Sequence, residues 1–290
     1  MTTMVDLPGG RQLEVLVTGP DTGLPLVFHY GTPSAAVPYP PMVEAATRRG
    51  LRLVVCSRPG YGNSPAHPGR TVADVVPDVA AVLDALGADT FVTLGWSGGG
   101  PHALACAALL PDQCRAAASL AGVAPYAAKG LDWLAGMGSE NVEEFGAAAE
   151  GQAALTRFLE GEAAGLATVQ AAVIAESLGD LITEVDRRQL TGEFAEFLAA
   201  TFRKAVGNGV AGWRDDDLAF LRDWGFPLPA EVPVSIWQGA QDRMVPYAHG
   251  EWLAANVPAA RSRLRPAEGH LSIVVGAFEE ILDDLLEAAG

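Results

Sequence analysis

The sequence predicts an α/β protein with a mostly parallel central sheet, helices on both faces of the sheet and an inserted helical cap. Two observations lead to this prediction. Short apolar runs alternate with segments of helical spacing, and the alternation stops in one long stretch that has no strand-like run. Strands that read as near-continuous apolar runs are typical of a parallel sheet buried on both faces. With 290 residues, 49% of them hydrophobic, the chain is long enough to bury such a core.

Eight strands are predicted along the chain. The first two form a hairpin in which VDL and RQLEVLVTG flank the turn PGG. The other six are short runs rich in apolar residues. They read LPLVFHY, LRLVVCSRPGYG, DTFVTLGW, CRAAASLAGV, VPVSIWQGAQD and ARSRLRPAEGH. Helical patterns lie between most of these runs, and the last helix reads IVVGAFEEILDDLLEAAG.

The stretch without strands divides the chain. From about Ala124 to Ala230 the sequence is rich in Ala, Glu and Leu at helical spacing. We therefore predict a core of residues 1–123 and 231–290 and a cap of residues 124–230. Asp215 to Asp217 lie inside this cap, and three consecutive acidic residues predict a solvated helix start there.

Composition and charge narrow the choice of partners. The chain has 19 Lys and Arg against 35 Asp and Glu, for a net charge of −16. So few scattered cations do not neutralise a phosphate backbone, which argues against nucleic acid as a partner. The uncharged stretch from Thr90 to Pro111 is interrupted by GGGPH, so we expect no membrane span. The sequence is compatible with an oligomer but does not decide the oligomeric state.

The cysteines and the N-terminus predict a cytoplasmic protein. Cys56, Cys106 and Cys114 are odd in number and form no CxxC pattern, which favours three buried thiols in a reducing compartment. The start MTTMVDLPGGRQ has neither the apolar segment nor the cleavage motif of a signal peptide.

A glycine-rich turn joins the strand FVTLGW to the helix PHALACAALL. It contains Gly95, Ser97 and Gly99 in the pattern G-x-S-x-G, in which the serine takes a strained backbone position on a sharp strand-to-helix bend. The two glycines are needed because the backbone on either side of the serine comes close together. An ordinary turn and a dinucleotide site are the alternatives. A dinucleotide site needs an acid at the end of the next strand, where the sequence reads AGVA.

Partners for Ser97 follow in the order expected for a nucleophile on this scaffold, which is serine, acid and then histidine. Asp242 comes directly after the strand VSIWQGAQ, and His270 follows the next strand. A serine hydroxyl needs a base to accept its proton and an acid to orient that base. The sequence therefore predicts a catalytic triad of Ser97, Asp242 and His270. The other histidines are expected to be structural or solvated, and His29 to support a nearby loop.

An oxyanion needs two further donors, which backbone amides supply on such scaffolds. One is the amide of Gly98, next to the nucleophile. The second is predicted in the loop that follows LPLVFHY, at the amide of Thr32, where Gly31 allows close approach. Since backbone groups do this work, the side chain of Thr32 is expected to matter little.

The motifs together resemble those of α/β-hydrolase-fold serine hydrolases. They are HYGTP, SRPGYGNS, GWSGGG, GAQDRMVP and EGHLS, with the helical insertion among them. The resemblance covers essentially the whole chain and is closest to the capped group of proline iminopeptidase-like enzymes, esterases and cofactor-free haloperoxidases. Two positions depart from the family pattern: Tyr30 precedes Gly31 where histidine is common, and Ser57 stands where RPGYG usually follows aspartate.

The resemblance implies an α/β-hydrolase fold and a serine hydrolase that cleaves an ester or amide of a small-molecule partner, without cofactor or metal. It also implies that the cap sets substrate choice while the chemistry lies outside it. Tyr30, Trp96 and Trp133 are the expected pocket residues. A serine nucleophile argues against epoxide hydrolase and dehalogenase chemistry, which members of this fold run with aspartate at that position.

Two other functions stay open at this stage. A proline iminopeptidase-like aminopeptidase needs cap acids that hold a free amino group, and Glu140, Glu143 and Glu144 are available. A non-catalytic ligand-binding protein of the same fold is the alternative of another class.

Overall fold

A computed structural model describes residues 1–290 and contains all eight predicted strands. They are β1 (Thr2–Asp6), β2 (Gln12–Thr18), β3 (Leu24–His29), β4 (Leu51–Ser57), β5 (Phe91–Trp96), β6 (Cys114–Leu120), β7 (Val234–Gly239) and β8 (Arg261–Arg265). They form one sheet in the order β1-β2-β4-β3-β5-β6-β7-β8. The β1–β2 and β2–β4 pairs are antiparallel, and every pair from β4 to β8 is parallel.

Twelve α-helices accompany the sheet. They are α1 (Pro40–Arg48), α2 (Val75–Leu86), α3 (Gly100–Leu109), α4 (Ser139–Glu150), α5 (Gln152–Leu166), α6 (Ile174–Ser177), α7 (Glu184–Arg187), α8 (Gly192–Val206), α9 (Ala211–Phe220), α10 (Tyr247–Asn256), α11 (Ser272–Gly276) and α12 (Phe278–Ala289). Helices α4 to α9 lie between β6 and β7, where the chain has no strand. We call these six helices and their connections the cap; its division from the core as a separate domain stays a prediction.

The sheet separates two apolar cores. Alternate residues of β3 point to opposite faces, so that Leu26 and Phe28 belong to one core and Val27 to the other. Burial on both faces explains why the central strands read as continuous apolar runs. No single helix of the chain is long and apolar enough to cross a membrane. Helix α5 and the segment Ala171–Ser177 together have the necessary length and composition, but the chain bends by 115° between them.

Strand register brings the loops of the site together. Gly95 at the end of β5 pairs with His29 of β3 on one side and with Ser119 of β6 on the other. Because β3 and β5 to β8 run parallel, the loops that follow them all leave the same edge of the sheet. This edge is where open α/β sheets build their binding sites.

Candidate active site

Ser97 occupies the bend between β5 and α3. Its φ is +57°, a left-handed conformation that non-glycine residues rarely adopt. A Cβ at Gly95 would collide with the carbonyl of Gly99, and a Cβ at Gly99 would collide with the carbonyl of His29. The two glycines therefore let three backbone segments meet, and the serine is held at the start of α3, with its hydroxyl at the edge of the sheet.

Asp242 and His270 lie in contact at the same edge. The Nδ1 atom of His270 is 2.8 Å from Oδ2 of Asp242. The other carboxylate oxygen accepts hydrogen bonds from the amides of Met244 and Val245, each at 2.8 Å, and Gln238 donates to Oδ2 at 2.9 Å. The carboxylate is thus fixed from several sides, and it orients the imidazole so that Nε2 is free to act as a base.

Ser97 and His270 line one small cavity of about 40 Å³, together with Trp96. No hydrogen bond joins the serine hydroxyl to the imidazole in this structure. Catalytic hydrogen bonds are often long in the absence of substrate and tighten when it binds. The indole of Trp96 donates to the carbonyl of His270 at 3.2 Å. This bond fixes the segment after β8 that carries His270, which we call the histidine loop, against β5.

The pKa of His270 reflects two opposing effects. Burial disfavours the imidazolium and lowers the pKa, but the carboxylate of Asp242, and beyond it that of Asp186, outweigh burial and raise the pKa above its ordinary value. His270 is therefore a stronger base than a free histidine, which favours proton transfer to it from a neighbouring hydroxyl.

Two backbone amides lie beside Ser97. Thr32 and Gly98 line the larger cavity with Ser97, and neither amide donates a hydrogen bond within the protein. An ideal Cβ on Gly31 would lie 3.2 Å from Cβ of Ser97, so the loop after β3 passes directly over the serine. Two unused donors next to a nucleophile can hold an oxygen on which negative charge develops.

The acidic run of the cap differs from its sequence prediction. Asp215, Asp216 and Asp217 are all buried, so the prediction of a solvated helix start was wrong. Asp216 meets Arg58 and Arg70 of the core, and Oγ1 of Thr32 donates to Asp216 at 2.8 Å. This cluster is a part of the site that the sequence analysis missed.

The larger cavity has a volume of about 220 Å³ and lies between the sheet edge and the cap. Its lining includes Ser97, apolar residues such as Phe145 and Phe220, and four acidic residues. These are Glu140, Glu144, Glu162 and Asp217. No Lys or Arg lines the cavity, so its polar character is negative.

Burial changes the titration of these acids. Burial and the charges of nearby acidic residues, Glu162 first, raise the pKa of Glu140 to about 7. Burial likewise raises the pKa of Glu144. Burial and the charge of the neighbouring Glu144 raise the pKa of Asp217 more strongly. Two neighbouring buried carboxyl groups cannot both be ionised easily, so burial and mutual repulsion favour the protonated form of this pair. Trp213 donates to Glu144 at 2.6 Å, whereas no donor reaches either oxygen of Asp217.

The predicted pocket residues have different surroundings. Trp96 lines the small cavity with His270. Tyr30 and Trp133 line neither cavity of the site. The hydroxyl of Tyr30 donates to the carbonyl of Val37, and its ring packs on aromatic residues behind the loop. The indole of Trp133 donates to the carbonyl of Ala124 and packs on Phe145, so Phe145 rather than Trp133 faces the cavity.

Two other buried histidines, His102 and His249, are structural. Nδ1 of His102 lies 2.9 Å from the carbonyl of Gly98, and burial lowers the pKa of His102 to about 3. His249 bridges the amide of Ala124 and the carbonyl of Trp133 inside the cap junction, and burial lowers its pKa to about 4. Both are neutral at physiological pH. No group of three or more His, Cys, Asp or Glu side chains is arranged to hold a metal ion.

Comparison with known proteins gives one family. Residues 25–277 match the model of the alpha/beta hydrolase fold. A non-heme chloroperoxidase of Streptomyces lividans is 28% identical over 92% of both chains. A pimeloyl-[acyl-carrier protein] methyl ester esterase of Aromatoleum aromaticum is 30% identical, over 79% of this chain and 81% of that protein.

Other matches are more partial or more distant. An epoxide hydrolase B of Mycobacterium tuberculosis is 32% identical, but the match spans only 44% of this chain and 36% of that protein. A solved hydrolase structure from Pseudomonas aeruginosa is 20% identical and superposes with a TM-score of 0.70 over 98% of both chains. The fold class predicted from the sequence is confirmed by the family match, by this superposition and by the sheet order.

Proposed function

Because the chain belongs to the alpha/beta hydrolase fold family and is an enzyme of the hydrolase class, we propose that it cleaves an ester or amide bond of a small-molecule substrate through an acyl-enzyme on Ser97. The observation that carries this proposal is one juxtaposition. A strained Ser97 shares its surroundings with the His270–Asp242 pair and with two amides that have no other partner.

In the first half of the proposed reaction, Nε2 of His270 accepts the proton of the Ser97 hydroxyl while Oγ of Ser97 attacks the substrate carbonyl carbon. The carbonyl oxygen becomes an oxyanion, to which the amides of Thr32 and Gly98 donate. When the carbonyl double bond re-forms, the bond to the leaving group breaks. His270 gives its proton to the departing alcohol or amine, and the acyl group stays on Ser97 as an ester.

In the second half, water replaces the leaving group. His270 accepts a proton from a water molecule while the water oxygen attacks the acyl carbon. The amides of Thr32 and Gly98 again donate to the oxyanion that forms. Collapse of this intermediate breaks the bond to Ser97, which recovers its proton from His270. The product is a carboxylic acid, and the enzyme returns to its starting state.

A burst experiment with p-nitrophenyl acetate tests the proposal. We expect a rapid release of p-nitrophenol equal in amount to the enzyme, or steady turnover if deacylation is fast, and reaction of the enzyme with a small fluorophosphonate. The Ser97→Ala variant is expected to do neither. A folded wild-type protein without turnover and without labelling would instead be a ligand-binding protein of this fold.

An aminopeptidase activity is the second candidate, and the carboxyl groups of the cavity favour it. Glu140, Glu144, Glu162 and Asp217 share the cavity with Ser97, and the oxygens of Asp217 lack a donor from the protein. An ammonium group offers three donors and a positive charge, which this arrangement lacks. Glu143, the third acid considered from the sequence, is exposed and does not line the cavity.

A matched pair of substrates separates the two candidates. Amino-acid p-nitroanilides with a free amino group are compared with the same compounds acetylated on nitrogen. If the cavity holds an ammonium group, the free amine is cleaved with a higher kcat/KM, and Asp217→Asn reduces that preference. Equal rates for the two forms, or a preference for the acetylated form, would contradict the aminopeptidase assignment and leave the esterase or amidase assignment standing.

A further inference from the structure

We propose that two buried aspartates of the cap, Asp216 and Asp186, are positioning residues that hold the oxyanion amide of Thr32 and the base His270 in place. The inference rests on the proposed function, because it concerns the loops that carry the proposed donor and base. Neither aspartate lines a cavity of the site, so each acts through the residues that it holds.

Asp216 of α9 is a junction between the cap and the core. Its side chain is fully buried and accepts hydrogen bonds from four core residues. The donors are Oγ1 of Thr32 at 2.8 Å, Arg58 at 2.6 Å, Arg70 at 2.6 Å and the hydroxyl of Tyr61 at 2.9 Å. Burial opposes the charged form, but the two guanidinium groups outweigh it and hold the pKa of Asp216 far below its ordinary value. The carboxylate is therefore ionised, and both of its oxygens accept hydrogen bonds.

Arg58 links Asp216 to the loop after β3 that carries the amide of Thr32, which we call the oxyanion loop. It donates to the carbonyl of Tyr30 at 2.6 Å and to the carbonyl of Gly31 at 3.0 Å. The carbonyl of Gly31 and the amide of Thr32 belong to the same planar peptide unit, so a hydrogen bond that fixes the carbonyl also fixes the direction of the N–H. Asp216 holds both Arg58 and the side chain of Thr32, and so constrains that peptide from two sides.

Asp186 of α7 holds the backbone of the histidine loop in place. It is completely buried and accepts hydrogen bonds from three consecutive amides. His270 donates to Oδ2 at 3.0 Å, while Leu271 and Ser272 donate to Oδ1 at 2.8 and 2.9 Å. The core fixes the imidazole through Asp242, and the cap fixes the backbone that carries it. Without Asp186, three buried amides would lose their partner.

A third buried acid of the cap supplies the contrast. Asp215 is next to Asp216 and is similarly buried, but it pairs with Arg214 of its own helix. It makes no hydrogen bond to a loop of the site. Asp215→Asn is therefore the matched control, since it removes a buried cap carboxylate without touching the oxyanion loop or the histidine loop.

The first test compares Asp216→Asn with Asp215→Asn. For p-nitrophenyl acetate we expect kcat of Asp216→Asn to fall by about 10- to 100-fold with little change in KM, because misdirection of the oxyanion donor weakens transition-state binding. The control is expected to stay near wild type. Equal kinetics of the two variants would overturn the role of Asp216. If Asp216→Asn does not fold, the Thr32→Val variant, which removes the hydrogen bond from Thr32 to Asp216, is measured instead. A wild-type kcat in this variant overturns the positioning role of Asp216, and a lowered kcat with unchanged KM supports it.

The second test measures kcat/KM of the Asp186→Asn variant as a function of pH. The charges that face His270 are those of Asp242 and Asp186, and both raise its pKa. Removal of the Asp186 charge therefore moves the acidic limb of kcat/KM to lower pH, and disorder of the loop lowers kcat by about tenfold. A role in cap stability alone would lower the melting temperature and leave the limb in place, which would overturn the role of Asp186.

The wild-type protein separates this inference from the proposed function. If fluorophosphonate does not label wild-type Ser97, the proposed function fails and the inference falls with it. If the wild type is labelled and the Asp216 and Asp186 variants are labelled equally fast, only the inference fails.

Discussion

Ser97 combines a hydroxyl, a left-handed backbone and two neighbouring amides that donate to no other group. This conformation costs on the order of 1–3 kcal/mol in a non-glycine residue. Ala121 and Ala259 also adopt it, so the conformation alone does not mark a nucleophile. The strain is retained where backbone contacts from β3 and α3 enforce it. At the scale of single residues, the proposal of Ser97 as nucleophile rests on the combination of this conformation, the hydroxyl and the two neighbouring amides.

Replacement of Ser97 by alanine is the first prediction. The variant should fold, because the hydroxyl makes no hydrogen bond in the protein, and esterase activity should fall by about 10⁶-fold, as for loss of the nucleophile in other serine hydrolases. Circular dichroism confirms the fold, and p-nitrophenol release measures the rate. Turnover near that of the wild type would contradict the assignment of Ser97.

The pH profile is the second prediction, and the structure changes what the sequence suggests. An ordinary histidine predicts loss of activity below about pH 6. Since the charges of Asp242 and Asp186 raise the pKa of His270 above 6.5, the neutral and active form is already lost as the pH falls through a value above 6.5. Measurement of kcat/KM against pH with a neutral ester checks this.

The carboxyl of Glu140 also titrates and needs its own control. Its pKa is about 7, so a limb near that pH has two candidate origins. Measurement of the same profile in Glu140→Gln removes that group. A limb that disappears in this variant, or an inflection well below pH 6.5 in the wild type, would contradict the assignment to His270.

At the scale of elements, the turn between β5 and α3 depends on backbone proximity more than on side-chain packing. Gly99→Ala is expected to destabilise the protein by about 2–4 kcal/mol, because the added Cβ overlaps the carbonyl of His29. Gly146→Ala is the matched control. It lies in α4 with nothing near the added Cβ, and should stabilise by about 1 kcal/mol. Urea unfolding of both variants measures the difference, and equal stabilities would contradict this view of the turn.

The elements of the sheet could be predicted because each central strand is apolar in its own right. The triad candidates could be predicted because chain order places residues 97, 242 and 270 at strand ends. The burial of Asp216 could not, because it depends on Arg58 and Arg70, which are 158 and 146 residues away along the chain. Three consecutive acids also point in different directions around a helix, and that pattern by itself favours solvent.

The cavity lining shows the same limit. Helical spacing marks the aromatic residues of the cap as buried but does not say which of them face Ser97. Phe145 and Phe202 line the cavity, whereas Phe194 and Phe197 pack against Tyr39 instead. That choice depends on how the cap sits on the sheet, which is a property of tertiary packing.

At the scale of the whole molecule, cap and core are joined at the loops of the site. The sequence suggests that the cap sets specificity and that the chemistry lies outside it. The contacts of Asp216 and Asp186 indicate that the cap also supports the chemistry. We therefore expect that exchange of the cap for that of a related enzyme changes the substrate preference and also lowers the rate of fluorophosphonate labelling.

A matched exchange that keeps acidic residues at positions 186 and 216 is the control for this prediction. It should change acyl-chain or leaving-group preference while labelling stays near the wild-type rate. Rapid labelling in an exchange that lacks both acids would contradict a supporting role of the cap.

The most direct test of the central claim is the identity of the residue that carries the acyl group or its analogue. The protein is reacted with a small fluorophosphonate, digested and mapped by mass spectrometry. The proposed mechanism predicts one label per chain, located on Ser97, formed quickly in the wild type and slowly in His270→Ala. A label on another residue, or equal labelling of the wild type and His270→Ala, would contradict the assignment of Ser97 as the nucleophile and His270 as its base.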